Sequence, residues 1–263
     1  MDKAALFFDI DGTLLSNHTH KIPESTYRAL EEARLRGHEI FINTGRTYCS
    51  ISPSVLEIEF DGLLCGCGTH VFYREKELFH STLEEARGYE ILEQMKACKV
   101  EGFIEAGDEL YFPETSRFKE IEYVRKWYQA DLKVGKKISK ETKKFRYDKL
   151  FVFTDEESDV ATFQKIIQPE LVALDRQKGR YECIQNGYSK ATAIEYIREM
   201  KGYEKDQIYI FGDSSNDLAM FEYATHAVAM KEHDPILDPY TEYVTDFVEE
   251  DGIYKALKHY KLI

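Results

Sequence analysis

Apolar positions along this chain fall into two textures, and the change between them divides it. Ala4 to Phe8 is a continuous apolar run, the pattern of a strand covered on both faces. Pro23-Glu24-Ser25-Thr26 opens a helix that carries Tyr27, Leu30 and Ala33 at helical spacing, and Gly37 stops it. Glu39 to Ile42 reads as a second strand. A helix around Val55 and a strand at Leu63-Leu64 follow. Short apolar strands alternating with helical patterns predict βαβ units and a parallel sheet.

From about Leu83 the texture changes. A helix over 83–97 leads to a strand pair, Phe103-Ile104 and Leu110 to Phe112, with Gly107-Asp108 as its turn. A helix with Phe118, Ile121, Val124 and Trp127 comes next. Strands at Leu150 to Phe153, Val172 to Leu174 and Tyr181 to Ile184 complete the section. The aromatics Phe103, Tyr111, Phe112, Tyr123 and Trp127 are expected in its core, and the lysines between Lys133 and Lys144 in a solvated loop. After Gly187 the βα texture returns. Lys190 lies near the start of a helix with Ala193, Ile194, Ile197 and Met200 on one face, ended by Gly202. Ile208 to Phe211, Ala227 to Met230 and Tyr243-Val244 read as further strands. The expectation is an α/β fold with a Rossmann-like parallel-sheet core built from residues 1–82 and 187–263, and an inserted α+β domain over 83–186.

Composition narrows the function. A net charge of −13 argues against nucleic acid, whose binding needs a basic footprint. It leaves room for a small anion held by local cations and backbone N–H groups. Five cysteines at irregular spacing make no disulfide framework, and Cys65 and Cys67 lack zinc-knuckle spacing. No apolar stretch is long enough to span a bilayer, and no signal-like segment precedes the first strand. A cytoplasmic protein with no membrane partner is expected. The eight histidines show no metal spacing, and the sequence leaves the oligomeric state open.

Four polar groups sit just beyond the core strands, on the sheet edge where open parallel sheets gather ligands. The first is Asp9-Ile10-Asp11-Gly12-Thr13. Alternation puts its two carboxylates on one side, and Gly12 permits a sharp turn near a ligand. Asp9 is suited to attack phosphorus. Asp11 is suited to protonate the leaving alkoxide and then take a proton from water. The second is Asn43-Thr44-Gly45-Arg46, where a hydroxyl and N–H groups can hold a phosphate oxygen, or merely cap a helix. The third is Ser189-Lys190. A lysine at a helix N-terminus opposes the dipole, an inconsistency that a cation serving a phosphoryl group would explain. The fourth is Gly212-Asp213-Ser214-Ser215-Asn216-Asp217. Its oxygen ligands suit Mg²⁺, with Asp213 and Asp9 as direct ligands and Asp217 and Asn216 holding water ligands and Lys190. One of these residues can equally cap the helix containing Leu218 and Phe221.

With all four motifs present in the order used by that family, the chain resembles haloacid-dehalogenase-superfamily phosphatases. The likeness is to the Cof-type branch, subclass IIB, whose large α/β cap is inserted after the third core strand. The resemblance implies Asp9 as nucleophile and Asp11 as acid/base. It implies Mg²⁺ on Asp9, the Asp11 backbone carbonyl and Asp213, and phosphate contacts from Gly12, Thr44, Gly45, Lys190 and Asn216. It also implies a small-molecule phosphate ester, a sugar phosphate or phosphorylated cofactor, as substrate. Cys67-Gly68 stands where relatives carry Asn-Gly. Lys231-Glu232-His233 follows Ala229-Met230 where they carry Gly-Asn, and Ala191 replaces a glycine. A phosphomutase of the phosphomannomutase type shares core and cap class. A non-catalytic phosphate-sensing domain is the reading from another class, and it has no use for Asp11.

Overall fold

The computed structural model describes residues 3–138 and 146–263. The end of the lysine-rich stretch, residues 139–144, lies outside them, as do Met1 and Asp2. Fourteen strands occur among the described residues. They are β1 Ala5–Phe8, β2 Glu39–Asn43, β3 Gly62–Cys65, β4 His70–Tyr73, β5 Lys76–His80, β6 Glu101–Glu105 and β7 Leu110–Phe112. β8 Lys136–Lys137, β9 Lys149–Phe153, β10 Leu171–Asp175, β11 Arg180–Gln185, β12 Ile208–Gly212, β13 His226–Ala229 and β14 Tyr243–Val244 follow. They form an eight-stranded sheet, ordered β14-β13-β12-β1-β2-β3-β4-β5, and a six-stranded sheet, ordered β10-β11-β9-β6-β7-β8. The chain divides into two compact units. Unit 1 holds residues 1–45, 53–79 and 189–263; unit 2 holds 46–52 and 80–188.

In unit 1, β1 is central and parallel to both neighbours, with Phe8 level with Phe211 of β12 and Ile42 of β2. Consecutive phenylalanines face opposite ways, as the period of a strand requires. Phe7 stacks on Phe41 at 4.6 Å, and Phe8 on Phe211 at 4.3 Å. Phe7 joins a core with Ala193, Ile194 and Ile197 of the helix Lys190–Lys201. Phe7, Ile194 and Ile197, fully buried, each contribute about 1.5–3 kcal/mol. Met200, expected on that face, is instead 42% accessible. The helix is closed at its N-terminus by a capping box between Ser189 and Thr192, and ends at Gly202 in the left-handed region. The hairpin strands β4 and β5 carried no sequence signal. Their turn residues, Arg74 and Glu75, hold φ of 47° and 64° where glycine or asparagine is the usual sign.

Unit 2 covers both faces of its sheet. Ile104, Leu150, Val152 and Cys183 pack with Ile91 and Phe163 of the helices Glu85–Ala97 and Val160–Ile167. Phe103, Phe112 and Phe153 pack with Ile121 of the helix Lys119–Asp131. Two of the aromatics expected in this core lie outside it. Tyr123 and Trp127 are on the exposed side of their helix, 74% and 40% accessible, because Ile121 and its partners supply the apolar stripe.

Candidate active site

The register of unit 1 places three strand ends side by side. Phe8, Ile42 and Phe211 are level, so Asp9, Asn43 and Gly212 lie side by side where the three strands end. Asp9 N–H still donates to Phe211 O at 3.0 Å, which fixes its carboxylate at the rim. Lys190 is 1% exposed. Its Nζ lies 2.6 Å from Asp9 Oδ1 and 2.6 Å from Asp217 Oδ1. An ammonium at a helix start is thus held by two carboxylates from other elements, which outweighs the unfavourable dipole.

Both oxygens of Asp217 are already engaged. Oδ1 accepts from Lys190, and Oδ2 accepts from the Asp213 and Ser214 N–H groups at 2.9 and 3.0 Å. It forms a capping box with Ser214, so one residue both caps the turn and orients the lysine. Asn216 Oδ1 accepts from Ser214 Oγ at 2.6 Å. Asp213 Oδ1 accepts from Thr13 Oγ1 at 3.1 Å, and Asp213 O accepts from Asp234 N–H at 2.7 Å. Gly12 holds φ of +79°, and a Cβ there would fall onto the Asp213 carboxylate. The close approach admits glycine only.

Thr44 is buried. Its N–H donates to Leu64 O at 2.8 Å, and its carbonyl accepts from Cys67 N–H at 3.1 Å. The Thr44 N–H is committed to the sheet, so a phosphate oxygen here would be met by the hydroxyl and by N–H groups further along. Gly45 follows directly and is also buried. Asp11 is half-buried at the same rim. Two positioning residues were not singled out from the sequence. Thr13 orients Asp213 across 200 residues. Asn43 Nδ2 donates to Lys190 O at 3.0 Å, tying the end of β2 to the helix that presents the lysine. The only hint was their position next to Gly12 and Thr44.

The electrostatics favour a cation. Single carboxylate oxygens of Asp9, Asp213 and Asp217 lie within 4.8 Å of one another, against one ammonium. Burial, opposed by Lys190 and reinforced by Asp217 and Asp11, pushes the Asp9 carboxyl up to about 7. Burial, then Asp9 and Asp217, push Asp213 up to about 9. Burial acts to discharge Lys190, but Asp217 and Asp9 win and hold it above the usual lysine range. A divalent ion on Asp9 and Asp213 would relieve that repulsion, and an all-oxygen donor set suits Mg²⁺.

A mostly parallel sheet with a carboxylate–lysine cluster at the carboxyl ends of its parallel strands defines an α/β enzyme site. The chain belongs to the haloacid dehalogenase-like hydrolase family, whose model matches residues 6–257. YkrA of Bacillus subtilis (strain 168), whose name assigns it provisionally to the phosphatases, is 29% identical over 263 residues, all of both chains. YitU of the same organism, named 5-amino-6-(5-phospho-D-ribitylamino)uracil phosphatase, is 24% identical over 96% of this chain and 95% of its own. Among solved structures, the subclass IIB sugar phosphatase BT4131 superposes with a TM-score of 0.82 at 28% identity, covering 99% of this chain and 100% of its own. No helix among the described residues is long and apolar enough to cross a membrane.

Proposed function

We propose that this protein is a Mg²⁺-dependent phosphatase that hydrolyses small-molecule phosphate monoesters through a phospho-aspartate on Asp9. The observation that carries the reading is the buried Lys190, shared between Asp9 and Asp217 at 2.6 Å each, beside Asp213. Such a cluster is costly as structure alone and is what phosphoryl transfer requires.

An ionised Asp9 oxygen attacks phosphorus as the bond from phosphorus to the ester oxygen breaks. Asp11 gives the leaving alkoxide its proton. The Asp11 carboxylate then takes a proton from water. That oxygen attacks phosphorus, the bond to Asp9 breaks, and phosphate leaves. Lys190 balances charge on the phosphoryl oxygens, while Thr44, Gly45, Gly12 and Asn216 hold them. Asp9, the Asp11 carbonyl and Asp213 would hold Mg²⁺, which when bound supplies positive charge against the phosphoryl group. Asp217 keeps Lys190 in place and would hold a water ligand of the metal.

Sugar phosphates and phosphorylated cofactors are the proposed substrates, in keeping with the names of BT4131 and YitU. The insert supplies the specificity. We place the activity in the cytoplasm. No disulfide joins the five cysteines, as a reducing compartment allows, and the acidic charge leaves no footprint for nucleic acid.

The test is hydrolysis of p-nitrophenyl phosphate with and without Mg²⁺, beside Asp9→Asn. Release that needs the metal and disappears in the variant is expected. Substantial turnover by folded Asp9→Asn would refute the covalent route, and turnover indifferent to chelation would refute the metal.

A further inference from the structure

Beyond β13 the chain leaves the sheet and then returns to it. Gly212 of β12 is level with Ala229 of β13, and Met230 N–H donates to Gly212 O at 3.0 Å. The neighbouring carbonyl, Asp213 O, accepts from Asp234 N–H at 2.7 Å. Lys231, Glu232 and His233 are therefore looped out between bonds to two adjacent carbonyls. The chain departs from the family pattern at these residues, and the phosphatase chemistry gives them no part. The loop and everything it touches here belong to unit 1.

His233 closes the loop. Its Nδ1 lies 2.7 Å from Met230 O. A carbonyl only accepts, so Nδ1 carries a hydrogen and donates. Nε2 faces Asp238 Oδ1 at 2.9 Å. The two contacts differ in weight. The His233 side chain is 12% exposed and that of Asp238 64%, so the contact with Asp238 is a surface pair worth little. Met230 is buried, and the bond to its carbonyl is the enclosed one. The turn that follows is anchored separately. Asp234 Oδ1 accepts from Ile236 N–H at 3.1 Å, and Leu237 is buried in the same core as Met220 and Phe221.

Asp213 is held at its N–H, its carboxylate and its carbonyl. The N–H donates to Asp217 Oδ2, and the carboxylate accepts from Thr13. Both of those partners lie in the motifs that carry the chemistry. The carbonyl alone depends on the loop. We propose that His233 is a positioning residue for the metal site: by closing residues 230–234 through Met230 O, it sets Asp234 N–H on the Asp213 carbonyl and so fixes the carboxylate. Mg²⁺ affinity then depends on a side chain that does not touch the metal. The proposal rests on the reading that Asp213 holds Mg²⁺.

The test uses the full chain. Mg²⁺ binding is measured by calorimetry without substrate, and the Mg²⁺ dependence of p-nitrophenyl phosphate hydrolysis beside it. His233→Ala should weaken Mg²⁺ binding about tenfold, the scale of one lost positioning hydrogen bond. The Mg²⁺ concentration for half-maximal rate should rise by the same factor, with kcat at saturating Mg²⁺ lowered by no more than about threefold. His233→Asn keeps a donor where Nδ1 stands and should bind Mg²⁺ within about twofold of wild type. Asp238→Asn should do the same, because it removes only the exposed pair. A merely structural histidine would lower the melting temperature of the metal-free protein and leave the Mg²⁺ dissociation constant unmoved. Folded His233→Ala with wild-type Mg²⁺ affinity would overturn the proposal, and so would His233→Asn that binds as weakly as His233→Ala. If His233→Ala does not fold, His233→Gln takes its place. Its longer side chain carries the amide toward Asp238 rather than Met230 O, and Mg²⁺ should bind about fivefold more weakly; wild-type affinity there would overturn the proposal equally. Wild type that binds no Mg²⁺ would remove the reading of Asp213 and the proposal with it; that failure shows in the wild type alone.

Discussion

Asp9 and Asp213 have opposite needs in folding and in chemistry. Burial raises their carboxyls from 3.8 to about 7 and about 9, so without metal the folded protein keeps protons that the unfolded chain has already lost. Stability from these groups is therefore full below about pH 4 and drains as pH rises through about 7 and then about 9. Mg²⁺ would replace those protons. Metal-free protein should melt at lower temperature at about pH 9 than at about pH 5, and Mg²⁺ should raise the melting point more at the higher pH. Asp213→Asn should flatten the metal-free slope. Equal Mg²⁺ shifts at both pH values, with a slope unchanged by Asp213→Asn, would remove these two carboxylates as its cause.

At the scale of elements, the site depends on how closely loops approach. Gly12 is the tightest point, because its left-handed backbone and the Asp213 carboxylate leave no room for a methyl group. Gly12→Ala should add about 1–2 kcal/mol of backbone strain. By displacing Asp213 it should lower kcat/KM on the order of 100-fold, together with a weaker Mg²⁺ response. Wild-type kcat/KM in that variant would show that the approach is incidental. Sequence pattern revealed much here. The run Ala4 to Phe8 has no polar interruption, so Asp9 had to fall at a strand end. Lys190 announced itself by sitting where a helix disfavours it. The contact between Cys49 and Ala106 did not show, because Thr47 to Ser52 has no periodicity and the two residues are 57 positions apart. Thr13 and Asp213, 200 residues apart, meet only through the order of strands in the sheet. Tyr123 and Trp127 misled for a related reason: helical spacing identifies a stripe, but Ile121 and its neighbours decide which stripe is covered.

For the whole molecule, each unit has its own apolar core. In unit 2, a Cβ on Gly88 would lie 2.6 Å from the buried Tyr147 ring. Tyr147 OH donates to Gly88 O at 3.2 Å. Gly88→Val should overpack this contact at a cost of about 1–3 kcal/mol. Scanning calorimetry should show two transitions, one lowered by Gly88→Val and the other raised by Mg²⁺. One transition that both perturbations move would mean the two cores melt together.

The placement of β1 at the centre of its sheet has a consequence for biosynthesis. β1 is made before both of its partners, and one of them, β12, lies roughly 200 residues later. At about 5–20 residues per second, the strand carrying Asp9 waits on the order of 10–40 s for that neighbour. The continuous stretch His80–Tyr188 of unit 2 is complete before β12 is made. The His80–Tyr188 stretch can therefore fold before β1 has both neighbours, and one side of an apolar strand stays uncovered until residues 208–212 arrive.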